Sequence, residues 1–167
     1  ALYVRRGTAL EPVLHGAAHE GGMRAGTENV AWLVGLGEAA ALAKRHLEEI
    51  PGRLQSLRER LWTRLRAAIG EDLSFNGAPR QRLPNTLSVN FPGVNAAELL
   101  ARIPEVCAST GAACHSGSSH LSPTLEAIDL EPGMARGTVR LSVGWYTSDE
   151  DVDRAAGLLA EGWEALR

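Results

Sequence analysis

Hydrophobic positions recur at helical spacing twice in the first 70 residues. From about 28 to 49, Val30, Leu33, Val34, Ala40, Ala41 and Leu47 fall near one stripe, and Thr27 stands where an N-cap would. Pro51 and Gly52 punctuate that run. A second helix follows, in which Leu54, Leu57, Leu61, Leu65 and Ala68 are spaced by three and four and so share a face. Its charges, Arg53, Arg58, Glu59, Arg60, Arg64 and Arg66, read as a solvated face. After Gly70 the period shortens to two. Residues 73–75 and 86–91 read as strands, the latter alternating Leu87, Val89 and Phe91 with Ser88 and Asn90. A short helix at 95–102, a strand at 106–109, a helix starting at Ser122-Pro123, a strand at 138–143 and a helix at 149–166 complete the series. The final helix carries Val152, Ala155, Ala156, Leu159 and Trp163 on one face. Ahead of everything, ALYVRR at 1–6 reads as a short strand, followed by a Gly- and His-rich loop to Gly26. This order implies an α+β fold: a mainly antiparallel sheet with helices on one face, preceded by the long helices.

Composition narrows the partners. The chain has 167 residues, of which 44% are hydrophobic and 22% charged, so disorder and fibrous repeats are excluded. Seventeen basic residues against 20 acidic give a net charge of −3, which demands no nucleic-acid partner. No apolar run approaches the ~18–20 residues of a membrane span, and the N-terminus has no signal-peptide core. Two cysteines, Cys107 and Cys114, are too few for a disulfide framework and suit a reducing cytoplasm. The chain opens on Ala within a strand-like run, so it reads as a piece of a longer one.

Three places can carry chemistry. Residues 109–120, STGAACHSGSSH, form a loop of small residues able to approach a ligand, with Cys114 at its middle. A nucleophile works as thiolate, so an exposed loop cysteine is a better candidate than Cys107, which the run EVCAS places in a packed strand. The competing readings are a surface thiol without a role and a zinc site built from Cys107, Cys114, His115 and His120. The latter spacing matches no recurring structural-zinc pattern, so no metal is expected. The turn GMRAGTEN, 22–29, opens a helix, and the Thr27 hydroxyl with the first free amides makes an anion site suited to a phosphate, with Arg24 adding charge. Thr27 as a plain cap is the alternative; His15 and His19 in the same loop receive no role. Arg140 lies in TVRLSVG, where Val139, Leu141 and Val143 share one face and Arg140, Ser142 and Gly144 the other. If that second face overlooks a cleft, Arg140 suits bidentate grip of a carboxylate; otherwise it is an exposed strand arginine.

Taken in order, five segments resemble the cysteine desulfurases and their selenocysteine-lyase relatives, members of the class V aminotransferase group of fold-type I pyridoxal-phosphate enzymes. They are ALYVRR, HEGGMRAGTEN, RLPNTLSVNFPGV, STGAACHSG and VRLSVGWYTSDEDVD. The resemblance covers nearly the whole chain. It implies that Cys114 is the persulfide-forming nucleophile, that Thr27 contacts the cofactor phosphate across a dimer interface, and that Arg140 holds the substrate carboxylate. The implied reaction removes sulfur from L-cysteine, leaves L-alanine, and passes the persulfide to a sulfur-acceptor protein. Three positions depart from the family pattern: His19 and Gly21 in the HEGGMR segment, and Trp145 after the terminal strand's glycine.

The family's Schiff-base lysine precedes the segment matched by Ala1, and the only lysine here, Lys44, lies in a helix matching no cofactor motif. The resemblance therefore implies the C-terminal part of such an enzyme, inactive by itself. Residues 1–27 would be a remnant of the large cofactor-binding domain, 28–70 the long connecting helices and 71–167 the small α+β domain. The alternatives are a selenocysteine lyase, whose branch GAACHSG followed by SPTL also resembles, and a non-catalytic domain docking sulfur acceptors.

Overall fold

The alternation at residues 86–90 builds one of the two inner strands of the sheet. A computed structural model of the chain describes residues 1–110 and 122–167. These divide into two units, Ala1–His46 and Leu47–Arg167.

In the second unit, β1 (Ser74–Phe75), β2 (Thr86–Asn90), β3 (Ser109–Thr110) and β4 (Thr138–Ser142) form one antiparallel sheet in the order β1-β2-β4-β3. The ladder pairs Leu87 with Leu141 and Val89 with Val139 on one face, Ser88 with Arg140 and Asn90 with Thr138 on the other. Side chains directly opposite in a ladder share a face, so the sheet has one apolar side and one polar side. The apolar side joins a core with Leu57, Leu61 and Leu65 of α2 (Ile50–Ile69), Leu99 of α3 (Ala96–Arg102), and Val152, Leu159 and Trp163 of α6 (Asp149–Glu164). The expected α+β architecture is therefore present. Two short helices, α4 (Pro123–Glu126) and α5 (Pro132–Arg136), precede β4. The second lies in a stretch to which the hydrophobic pattern assigns no element; Pro132 opens it and the Glu131 carboxylate accepts from the Met134 amide.

Two details of α2 differ from the sequence reading. Arg58 is not on a solvated face: it is buried and donates to the Leu83 carbonyl at 2.9 Å, satisfying a loop carbonyl that no ladder reaches. Ala68 is exposed, and Ile69, four residues after Leu65, packs against the core in its place. Between α2 and α6, Arg60 grips Asp153 with two bonds of 2.7 Å, and Arg64 adds bonds of 3.0 and 3.2 Å. The Arg60 hydrogen bonds, then those of Arg64, hold the Asp153 carboxyl down from 3.8 to about 2. The start of α6 is closed by a capping box between Ser148 and Asp151.

One glycine is set by close approach. The Phe91 amide donates to the Gly137 carbonyl at 2.9 Å, and a Cβ on Gly137 would lie 2.1 Å from the Phe91 oxygen. No side chain fits there.

In the first unit, residues 1–6 form no strand. Among the described residues they find no ladder partner, and an unpaired strand leaves its amides and carbonyls to water. The helix α1 (Val30–Arg45) is shorter than expected, so Leu47 lies beyond its end. Its apolar stripe is not buried; Val30 is 65% exposed and Val34 68%. Asn29, not Thr27, caps it, its side-chain oxygen accepting from the Trp32 amide at 3.3 Å.

Gly137→Ala should lower unfolding free energy by roughly 1–3 kcal/mol, because the backbone must part to admit the methyl group. Gly157→Ala, on α6 with open space around the new Cβ, should instead raise it by about 0.5–1 kcal/mol. Urea titrations of the two variants test this; equal destabilisation would contradict the close approach at Gly137. The Asp153 carboxylate contributes stability that is complete above its unfolded-state value and lost as pH falls through about 2. The stability gap between the parent chain and Asp153→Asn should accordingly be constant from about pH 7 to about pH 5 and close progressively toward pH ~2. A gap that does not change with acidification would mean that the Arg60–Asp153–Arg64 contacts carry no stability.

Candidate functional site

Arg140 sits third in β4, between buried Val139 and Leu141, and the pleat turns it to the polar side of the sheet. Two serines flank it in the ladder, Ser88 on β2 and Ser109 on β3. The Ser88 hydroxyl accepts from the Asn76 amide group at 3.1 Å. The Ser109 hydroxyl accepts from Arg140 Nη2 at 3.3 Å. Further along the same face, Asn90 donates to Ser74 at 3.0 Å and accepts from Thr138 at 2.7 Å and from Asn76 at 2.9 Å. The face therefore carries a network of mutually bonded hydroxyl and amide groups and one exposed guanidinium, whose remaining donors can meet a carboxylate as a fork.

Thr27 lies in the other unit, in a turn tied by an isolated bridge between His19 and Arg24. His19 Nδ1 lies 2.8 Å from Glu28 Oε1, closing the loop at its base. The Glu28 carboxyl is held below its ordinary range, first by its own backbone N–H and then by His19. Gly26 adopts φ +96°, a conformation that favours glycine. Arg24 is tied into the turn through one nitrogen: its Nη1 donates to the carbonyls of Gly26 and Thr27 at 3.0 and 3.2 Å. Thr27 itself is exposed, and since Asn29 takes the capping role its hydroxyl is not spent on the helix. Beside this turn an open cavity of about 380 Å³ runs along Arg24, Glu28, Asn29, Trp32 and Leu33.

Cys114, His115 and His120 lie outside the described residues. Cys107 is described, and the packed position expected for it is not found: it is exposed. The strand expected at 106–109 begins only at Ser109, because Val106 first bonds back to the Ile103 carbonyl in a turn. Cys107 precedes the first ladder pair and borders an open cavity of about 470 Å³ beside Val106, Val143 and Leu158. The single lysine, Lys44, is exposed in the last turn of α1. Among the described residues no helix is long and apolar enough to cross a membrane.

What sequence reasoning missed is the rest of the polar face. Asn76 and Asn90, Ser74 and Ser109 converge around Thr138 and Arg140 only because β1 and β3 pair on either side of β2 and β4. The signal available was the phase of alternation: Ser88 and Asn90 share a phase, and it is the phase of Arg140 once the register is known.

The family model described as Aminotransferase class-V matches residues 3–155. The curated protein "Cysteine desulfurase IscS" of Shewanella denitrificans is 40% identical over 169 aligned residues, covering 100% of this chain and 41% of its own length. A cysteine desulfurase of Trichormus azollae is 41% identical, again across 100% of this chain and 42% of its own length. This chain thus spans less than half of the curated relatives it matches. Among solved structures, a NifS-like protein superposes with a TM-score of 0.84 at 28% identity, over 98% of this chain and 42% of the other. A NifS-like protein from Rickettsia africae, at 23% identity and a TM-score of 0.82, covers 94% of this chain and 41% of its own, and shares the fold.

With Cys114 changed to Ser, Cys107 should react to completion with iodoacetamide in the folded chain, at a rate within about tenfold of a free thiol. Mass spectrometry of timed samples reads the modification. A thiol that labels only after denaturant is added would return Cys107 to the packed position.

Proposed function

Because the chain belongs to the class-V aminotransferase family, we propose that it is the C-terminal part of a pyridoxal-phosphate-dependent cysteine desulfurase. The observation that carries this reading is identity of 40% and 41%, across the whole of this chain, with proteins named cysteine desulfurase. The geometry agrees where the reading makes a structural demand: a carboxylate anchor must present a free fork, and Arg140 stands on the sheet's polar face with one bond to Ser109.

The residues present fit part of a cofactor site. Thr27 offers an exposed hydroxyl in a turn that glycine geometry permits, just ahead of a helix, and this would hold the phosphate. In this reading Lys44, exposed on α1 in a helix matching no cofactor motif, is not the Schiff-base lysine, which the intact enzyme would supply from elsewhere. When bound, pyridoxal phosphate supplies the electron sink that activates the substrate's sulfur.

In this reading Arg140 binds the L-cysteine carboxylate and orients the amino acid. The Cys114 thiolate attacks the substrate sulfur, so that an S–S bond forms as the carbon–sulfur bond breaks. The bonding pair stays with carbon, which takes a proton and leaves as L-alanine. Cys114 is left as a persulfide, whose outer sulfur passes to a sulfur-acceptor protein. The intact enzyme would work as a cytoplasmic homodimer, with Thr27 reaching the partner subunit's cofactor.

Arg140→Ala in the holoenzyme should raise the KM for cysteine roughly thirty- to a thousandfold, the worth of a bidentate pair in a partly desolvated cleft, about 2–4 kcal/mol. Arg136→Ala, at the exposed end of α5, should change KM by no more than about twofold. Lys at position 140 should recover only part of the loss, since it keeps the charge without the fork. Steady-state kinetics with cysteine decide the matter. A normal KM for Arg140→Ala would remove the carboxylate anchor.

A further inference from the structure

Arg140 projects from an antiparallel sheet with both its ladder neighbours being serines, and the two are used differently. Ser88 on β2 has its hydroxyl engaged by the Asn76 amide group at 3.1 Å. Ser109 on β3 has its hydroxyl within 3.3 Å of Arg140 Nη2, and among the described residues this is the one side-chain hydrogen bond of that guanidinium. A guanidinium carries five N–H donors, so the bond occupies one and leaves four, including a planar pair, for a carboxylate. A long side chain at the surface otherwise loses rotamer entropy when it binds, and a partner that already holds one nitrogen reduces that loss. The backbone of Ser109 is fixed independently, through its pairing with Arg140 and that of Thr110 with Val139. Its hydroxyl is therefore free to differ without altering the ladder.

We infer that Ser109 is a positioning residue for the Arg140 guanidinium, holding Nη2 so that the remaining donors face the substrate carboxylate as a preformed fork. This rests on the carboxylate role proposed for Arg140. It adds a residue that acts through that arginine and not on the substrate. Ser109 also immediately precedes Thr110, the last described residue before the segment that contains Cys114. The same short strand thus connects the carboxylate anchor, by hydrogen bond, and the nucleophile's segment, by sequence.

The test compares Ser109→Val with Ser109→Thr, two β-branched residues of nearly equal shape that suit a strand and differ in the hydroxyl. In the holoenzyme, Ser109→Val should raise the KM for cysteine roughly three- to tenfold with kcat within about twofold, and Ser109→Thr should match the parent. Added to Arg140→Ala, Ser109→Val should change nothing further, because the group it positions is gone. A second readout needs no turnover. In the ¹⁵N-labelled chain, the Arg140 Nη2–H signals, assigned by their loss in Arg140→Lys, should exchange with solvent several times faster in Ser109→Val than in the parent or Ser109→Thr. Equal KM and equal exchange in the Val and Thr variants, with Arg140→Ala still impaired, overturn the role of Ser109 alone. A full additional loss from Ser109→Val in the Arg140→Ala background overturns it too, since Ser109 would then act independently. If Arg140→Ala itself keeps a normal KM, the anchor reading fails and the positioning role falls with it.

Discussion

The five residue pairs that join β2 to β4, from Thr86 with Ser142 to Asn90 with Thr138, decide which side chains enter the core and which line the opposite face. Side chains alternate with a period of two, so a slip of one residue would send Leu87 and Val89 outward and bring Ser88 against the helices. Burying four aliphatic side chains of these strands, Leu87, Val89, Val139 and Leu141, makes that slip costly. The same register puts Arg140 between Ser88 and Ser109. The site's geometry is thus a by-product of core burial: whatever holds the apolar face in phase holds the polar face in phase as well. Gly137 protects the arrangement at its start, since only a hydrogen side chain lets β4 leave α5 in contact with the Phe91 carbonyl.

Arginine accounts for 16 of the 17 basic residues, and the structure shows a use for that preference. Arg53 spans two carbonyls, of Trp145 at 2.9 Å and Thr147 at 2.6 Å, and so secures the turn between β4 and α6. Arg82 reaches the carbonyls of Ala78 and Asn76 and lies 4.4 Å over the Phe75 ring. Arg66 bonds the Glu71 and Leu73 carbonyls, and Arg58 the Leu83 carbonyl. Each ties a loop that the short sheet cannot pair. A planar fork meets two oxygens at once, which a lysine ammonium on a flexible stem does less well. Arg60 and Arg64 apply the same fork to one carboxylate and join α2 to α6. These six arginines are therefore structural, whereas Arg140 is the arginine within a described strand of the sheet and makes one described side-chain hydrogen bond, to Ser109.

The two units pose different problems. Leu47–Arg167 has a closed core, in which Gly162 brings α6 within contact distance of Leu99 and Ile103, and Trp163 donates to the Pro92 carbonyl at 2.9 Å. Ala1–His46 has no buried side chain on α1, and its apolar residues, Trp32, Leu33 and Leu36 among them, remain exposed. Order there comes from polar contacts in the 19–28 turn, where His19, Arg24 and Glu28 fold the chain back on itself. A hydroxyl at Thr27 is presented by that turn without being consumed by it.

Periodicity in the sequence was enough to locate β2, β4, α2, α3 and α6, because each of these buries one face and the burial leaves a period that can be read. It was enough, too, to turn Arg140 away from the apolar face, since alternation is local. It misjudged positions where the outcome depends on a distant partner. ALYVRR has the composition of a strand yet meets no ladder; Cys107 has the setting of a strand yet precedes the first pair; Arg58 has the charge of a surface residue yet lies buried on a loop carbonyl. Thr27 and Asn29 are both acceptable caps by residue type, and the path of the turn selected Asn29. Residue type and spacing determine which face a side chain takes within its own element. Only the tertiary structure decides whether another element is there to meet it, because pairing and burial depend on residues tens of positions away that local pattern does not encode.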